Sequence, residues 1–234
     1  MDALRAGDAR ARVALEPGAM AVRKIGINSR SMTGRHGFSG QQFESTLERD
    51  LLDLLTFDLN IDRLETQPVV IEYAGDDGRP RAYTPDVLVL YRRDILPARD
   101  MPHLLVEVKY RDEYRERFHE LKQRFRAARR YARNRGWVFR VLTEREIRTP
   151  YLGNARFLRP YRDVAENLEF ENALLQLLQG LGETSAAKLL ESVADDDLSR
   201  ARYLPHLWKL VANLQVGADL MQPLTMRSLI WYCG

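Results

Sequence analysis

Three residues of this chain have the types and spacing to do metal-assisted chemistry. Asp86 stands at the head of a short apolar run, Thr84-Pro85-Asp86-Val87-Leu88-Val89, and Glu107 and Lys109 close a second one, Leu104-Leu105-Val106-Glu107-Val108-Lys109. Both runs are too short for helices and rich in β-branched residues, so they read as two buried neighbouring strands. The two-residue period of a strand puts Glu107 and Lys109 on one face with Leu105, and Leu104, Val106 and Val108 on the other. A carboxylate and an ammonium inside an apolar strand are costly unless they are paired or bind something. A divalent cation bridging Asp86 and Glu107 would remove the cost of the acids and leave Lys109 to face an anion such as a phosphate. The plainer alternative is a Glu107–Lys109 salt bridge at a sheet edge, with Asp86 capping a turn.

These groups need a sheet and helices to position them. The spacing of Leu47, Leu51, Leu54 and Leu55 predicts a helix over 42–57. On that helix Glu48 lies inside the apolar arc, flanked by Leu52 and Leu55, whereas Arg49, Asp50 and Asp53 point to solvent. An inward glutamate there is a candidate third metal carboxylate. Glu44, one turn earlier, competes for the role, but an acid in the first turn also complements the positive end of the helix, so Glu48 is preferred. Val69-Val70-Ile71-Glu72-Tyr73, a Gly75-Asp76-Asp77-Gly78 turn and a strand over 81–91 form a hairpin that delivers Asp86 to the middle of a sheet. A helix over 113–134 follows the Glu107 strand, with Phe118, Leu121, Phe125, Ala128 and Ala132 as its buried stripe. Gly136 ends it, and Trp137-Val138-Phe139-Arg140-Val141-Leu142 is the next strand, which predicts a right-handed crossover in a mixed sheet.

Composition bounds the rest. A chain of 234 residues, 45% hydrophobic, can bury one large core or a medium and a small one. No apolar run is long enough for a membrane span and no apolar signal segment opens the sequence, so a soluble, cytoplasmic protein is expected, with no membrane partner. Cys233 is the one cysteine, which excludes a disulfide framework and a cysteine-based metal cluster within the chain, and the count of four histidines argues against a His-rich metal site. Net charge is only +3, yet residues 110–135 carry ten Lys or Arg against four acids. That excess suits a polyanion, with Lys122 and Arg126 as candidate DNA-phosphate contacts; solvation, or pairing with Glu116 and Glu120, accounts for the same arginines without DNA. Residues 1–40, rich in Arg, Gly and Ser, read as a flexible basic arm in which Arg30 and Arg35 are further candidates, or simply as a solvated tail.

Past residue 160 the composition changes. Residues 163–197 are acidic, and Leu174, Leu175, Leu177, Leu178 and Leu181 pack one helix. Glu183-Thr184-Ser185-Ala186 opens a second behind a capping residue, residues 202–214 make a third, and 216–231, broken by Gly217 and Pro223, suit a small β-wing. Three helices and a wing describe a winged-helix-like module whose acidity favours protein contact at least as much as DNA. The expected organisation is thus an arm over 1–40, a mixed α/β domain over 41–160 and a small, mostly helical domain over 161–234.

Proline, Asp, a spacer, then Glu, one residue and Lys resembles the core pattern of the PD-(D/E)XK nucleases at Pro85, Asp86, Glu107 and Lys109. With Arg30-Ser31-Met32-Thr33-Gly34-Arg35, Phe43-Glu44-Ser45-Thr46-Leu47-Glu48-Arg49-Asp50, Gln67-Pro68 and Tyr83-Thr84-Pro85-Asp86, the sequence resembles the TnsA family over roughly residues 20–160. These are endonuclease subunits of heteromeric cut-and-paste transposons, CRISPR-associated ones included. The resemblance implies a restriction-endonuclease-like fold that acts on double-stranded DNA at transposon ends and cleaves the 5′ strand. It implies a DDE transposase, TnsB, for the 3′ strand and an AAA+ regulator, TnsC, contacted through the C-terminal region. It carries Glu48, Asp86 and Glu107 over as ligands of Mg²⁺, which Mn²⁺ would replace, and Lys109 as the catalytic lysine. Glu107 is the more typical nuclease acid, since some members have Gln there. Two other readings remain: a stand-alone restriction, repair or junction nuclease of the same fold, and a DNA-binding scaffold without activity.

Overall fold

The computed structural model describes residues 45–233, Gly40, and two short strands before them, β1 (Gly34–Arg35) and β2 (Gln42–Phe43), which pair antiparallel. Arg30, Glu44 and most of the basic arm lie outside the described residues, and of Arg35 only the backbone is described.

Helix α1 (Thr46–Phe57) starts four residues later than its leucine spacing predicts. Ser45 stops it: its backbone is extended and its hydroxyl accepts from the Glu48 amide at 3.1 Å, the geometry of an N-cap. Strand β3 (Ile61–Thr66) had no expectation in the sequence. Its Asp62, Arg63 and Glu65 break the apolar pattern, and only Leu64 is buried, as suits an outer strand.

The hairpin forms, but as a ribbon of its own. Strands β4 (Ile71–Ala74) and β5 (Pro80–Tyr83) pair antiparallel, with Gly78 at φ +72°, where a side chain would be strained. The strand expected over 81–91 is two strands. Thr84-Pro85-Asp86 separates β5 from β6 (Val87–Tyr91), because Pro85 has no N–H to give a ladder. Asp86 is the joint. Its N–H donates to the Val106 carbonyl at 3.1 Å and its carbonyl accepts from the Gln67 N–H at 2.8 Å.

Strand β7 (Leu104–Val108), helices α2 (Arg111–Glu116) and α3 (Phe118–Arg133) and strand β8 (Val138–Leu142) complete the layer. The four-stranded sheet runs β3-β6-β7-β8, antiparallel except for β7 with β8, so β6 and β7 are its centre. The parallel pair requires a crossover, and α2 and α3 supply it. The single helix expected over 113–134 breaks at Arg117, whose backbone leaves the helical region. Phe118, expected in the buried stripe, is 38% exposed and meets Tyr114 edge-to-face.

Each face of the sheet is covered. Val87, Val89, Tyr91, Val106 and Val108 pack on Leu47, Leu51 and Leu52 of α1. Leu88, Leu90 and Leu105 pack on Leu121, Phe125 and Ala128 of α3. The period-two reading of the Glu107 strand therefore holds, and Glu107 points to the α3 side.

The C-terminal region follows α4 (Glu144–Ile147) and α5 (Pro150–Leu158). It comprises α6 (Leu168–Leu181), β9 (Thr184–Ser185), α7 (Ala186–Val193), α8 (Asp197–Ala212), β10 (Val216–Ala218) and β11 (Leu229–Tyr232). Helix α8 begins five residues before the expected 202, because Asp196 caps it through the Ser199 amide at 2.9 Å. Strands β10, β11 and β9 make a three-stranded antiparallel sheet, so the three helices and wing form as expected. Leu174, Leu178, Leu189, Leu207, Trp208 and Ile230 centre this second core, which Phe57 of α1 and Ala155 and Leu158 of α5 also enter. Among the described residues no helix is long and apolar enough to cross a membrane.

Candidate active site

The break at Pro85 and the end of β7 bring Asp86 and Glu107 to the same end of the two central strands. Val87 pairs with Val106, so Asp86 falls beside Glu107 on the α3 side. Asp86 Oδ2 accepts from the Val108 amide at 2.6 Å, a bond that aims the carboxylate across β7. Glu107 is only 2% exposed. Its Oε2 accepts from the Tyr83 hydroxyl at 2.5 Å, and its Oε1 lies 3.2 Å from the Lys109 Nζ and 3.6 Å from Arg124 Nη2.

The electrostatics are those of acids packed closer than they tolerate. Burial, then the charge of Glu107 and more weakly that of Glu48, pushes the Asp86 carboxyl well above the usual carboxylate range, against the pull of Lys109 and of the Val108 amide. Burial alone would lower Lys109, but the Asp86 and Glu107 carboxylates outweigh it and raise it, so the ammonium stays charged. Burial, then Glu107, raises Tyr83 far out of its titrating range, so its hydroxyl remains a donor.

The third acid is placed differently. Ser45 Oγ donates to Glu48 Oε1 at 3.0 Å while accepting from the Glu48 amide, so the N-cap serine also holds the Glu48 carboxylate at the start of α1. The helix-start role that the sequence reading gave to Glu44 is thus filled by Glu48 itself. Among the described residues no three His, Cys, Asp or Glu side chains close into a metal-binding group. The donors that could hold a cation are the Asp86 and Glu107 carboxylates, hard oxygens with excess negative charge between them, with Glu48 near enough to raise Asp86. That chemistry fits a divalent cation of the Mg²⁺ or Mn²⁺ kind.

Two neighbours escaped the sequence reading. Tyr83 carried a signal, since it precedes Thr84-Pro85-Asp86 and must end the ribbon next to the site. Arg124 did too: it lies three residues after Leu121 and one before Phe125, inside the buried stripe of α3. Lys122 and Arg126, by contrast, stand exposed on that helix. A further correction falls on α1. Asp50, expected in solvent, is 4% exposed and pairs with Arg148 at 2.7 Å and Arg156 at 2.5 Å, while Asp53 pairs with Arg156 at 2.6 Å. The Arg148 Nη2 also reaches Thr46 Oγ1 and the Tyr110 hydroxyl, each at 3.2 Å. A helical wheel places Asp50 correctly with respect to the sheet, but it does not see α5 covering the outer side.

A mixed sheet with a helix on each face, whose two central strands end in Asp and Glu-X-Lys, is the plan of a restriction-endonuclease-like nuclease. Residues 58–144 match the family described as TnsA-like endonuclease N terminal, and residues 146–220 match that described as TnsA endonuclease C terminal. The chain belongs to the TnsA endonuclease family, the nuclease subunits of transposases, and acts on DNA as an endonuclease. No curated protein matches the chain. Asp86, Glu107, Lys109, Tyr83 and Arg124 fall inside the first match; Glu48 falls before it.

Proposed function

We propose that this protein is the metal-dependent subunit that hydrolyses the 5′ strand at each transposon end, beside a DDE transposase of the TnsB kind and under an AAA+ regulator of the TnsC kind. The observation that carries the reading is the Asp86–Glu107 pair: two carboxylates side by side at one end of the central strands, the first pushed toward its neutral form by burial and then by the second, with a charged lysine against them. Asp86 and Glu107, with Glu48 from the helix cap, would hold Mg²⁺ or Mn²⁺. A divalent cation there supplies Lewis acidity and a lowered pKa for attacking water. Lys109, kept protonated by its acidic neighbours, stabilises the charge that builds on the phosphate oxygens. Tyr83 holds the Glu107 carboxylate in one orientation throughout. Lys122 and Arg126, exposed on α3, and Arg30 and Arg35 of the arm would carry backbone phosphates of the duplex. In this reading residues 41–160 do the cutting and the winged-helix-like part from 161 meets partner proteins.

The test needs no partner at its first stage. Calorimetric titration of Mn²⁺ should show binding to the wild type and none to Asp86→Ala. A strand-specific assay with the assembled transposase should then show 5′-strand cleavage lost in Asp86→Ala. Retained cleavage by that variant would sink the assignment.

A further inference from the structure

Arg124 is anchored where a supporting salt bridge would not put it. Its Nη2 stands 3.6 Å from Glu107 Oε1, beyond good hydrogen-bond range, and Lys109 already holds the same oxygen at 3.2 Å. Its Nε is buried and has no acceptor among the described residues. A buried donor left unmade is destabilising, so such a group needs a reason. What fixes the guanidinium is aromatic: its centre lies 5.4 Å from the ring centroids of both Tyr83 and Phe125. The side chain is nonetheless 25% exposed, on the helix that presents Lys122 and Arg126 to solvent. A planar fork positioned against two aromatic rings, with its Nε donor unused, is suited to a bidentate anion.

The contacts of Glu107 point the same way. Lys109 and Arg124 both crowd its Oε1, a carboxylate oxygen that a metal ligand must offer.

We propose that Arg124 is a second catalytic cation, held in reserve on Glu107 and transferred to the scissile phosphate when a divalent cation takes that carboxylate. The inference rests on the metal-dependent reading above. It makes Arg124 a competitor of the metal and a partner of the substrate, two effects of opposite sign that a supporting residue cannot have.

The experiment compares wild type, Arg124→Gln and Arg124→Lys, with thermal unfolding confirming that each is folded. In Mn²⁺ calorimetry, Arg124→Gln should bind about threefold to tenfold more tightly, because one opposing charge is gone, while Arg124→Lys stays near wild type. In strand cleavage by the assembled transposase, Arg124→Gln should be slower by about 10²-fold or more and Arg124→Lys by clearly less. Weaker Mn²⁺ binding by Arg124→Gln, or cleavage unchanged by it, overturns the proposal while leaving the metal reading intact. Absence of Mn²⁺ binding by the wild type overturns both.

Discussion

The Tyr83 hydroxyl donates to Glu107 Oε2 at 2.5 Å, joining the last residue of the β4–β5 ribbon to a buried acid of the central sheet. The ribbon is therefore tied to the site by a side chain as well as by the chain. Tyr83→Phe keeps the ring, and with it the contacts to Phe125 and Arg124. It removes one charge-assisted bond, worth about 1.5–3 kcal/mol, and should cut cleavage roughly 10-fold to 100-fold, the usual effect of losing a partner that orients a ligand. Urea unfolding and single-turnover cleavage measure the two losses separately.

Asp86 should trade stability for activity. A carboxyl raised in the folded state weakens the fold at pH values above its ordinary range, and stability is regained as pH falls toward that range. Asp86→Asn can still accept the Val108 amide but carries no charge. In EDTA at pH 7 it should melt at least about 2–4 °C above the wild type, the response of a domain this size to ~1 kcal/mol, and cleave nothing. Added Mn²⁺ should raise the melting temperature of the wild type only. A variant less stable than wild type in EDTA would mean that Asp86 serves the fold.

Glu48→Gln separates two roles held by one residue. Glutamine at this position preserves the helix cap, so the melting temperature should move little. If Glu48 is a metal ligand, cleavage falls about 10²-fold or more. Wild-type cleavage rates in a folded Glu48→Gln would reduce it to a cap.

The Asp50 cluster sets an acid limit. Burial raises the Asp50 carboxyl, but its bonds and charge pairing with Arg148 and Arg156 outweigh that and hold it below the usual range. Its contribution is present above the ordinary carboxylate value and lost as pH falls through the lower folded one. Asp50→Asn should cost about 2–3 kcal/mol at pH 7 and flatten the fall in stability below pH ~4, both read from urea midpoints across pH.

Much of this site was legible because period two on β7 and the apolar neighbours of Asp86 are local signals. Glu107 and Leu105 share a face as read, and the wing closes as read. What the sequence left dark depends on a third element. Asp50 looks solvated until α5 lies over it; Arg124 looks like one more basic residue of α3 until Tyr83 lies beneath it. Strand β3 escaped because an outer strand tolerates charges that a period-two search rejects. The split at Thr84-Pro85-Asp86 had a signal, the missing N–H of Pro85, and the apolar run on both sides masked it.

Helix α1 has Glu48 in its first turn and Phe57 at its end, and these two ends belong to different cores: Leu47, Leu51 and Leu52 seat on the sheet, Phe57 among the C-terminal helices. Twelve residues at about 1.5 Å each make a stiff rod of about 18 Å. No linker separates the two cores along this rod, so the acid that stands nearest Asp86 from α1 and the aromatic anchor of the C-terminal helices belong to one rigid element.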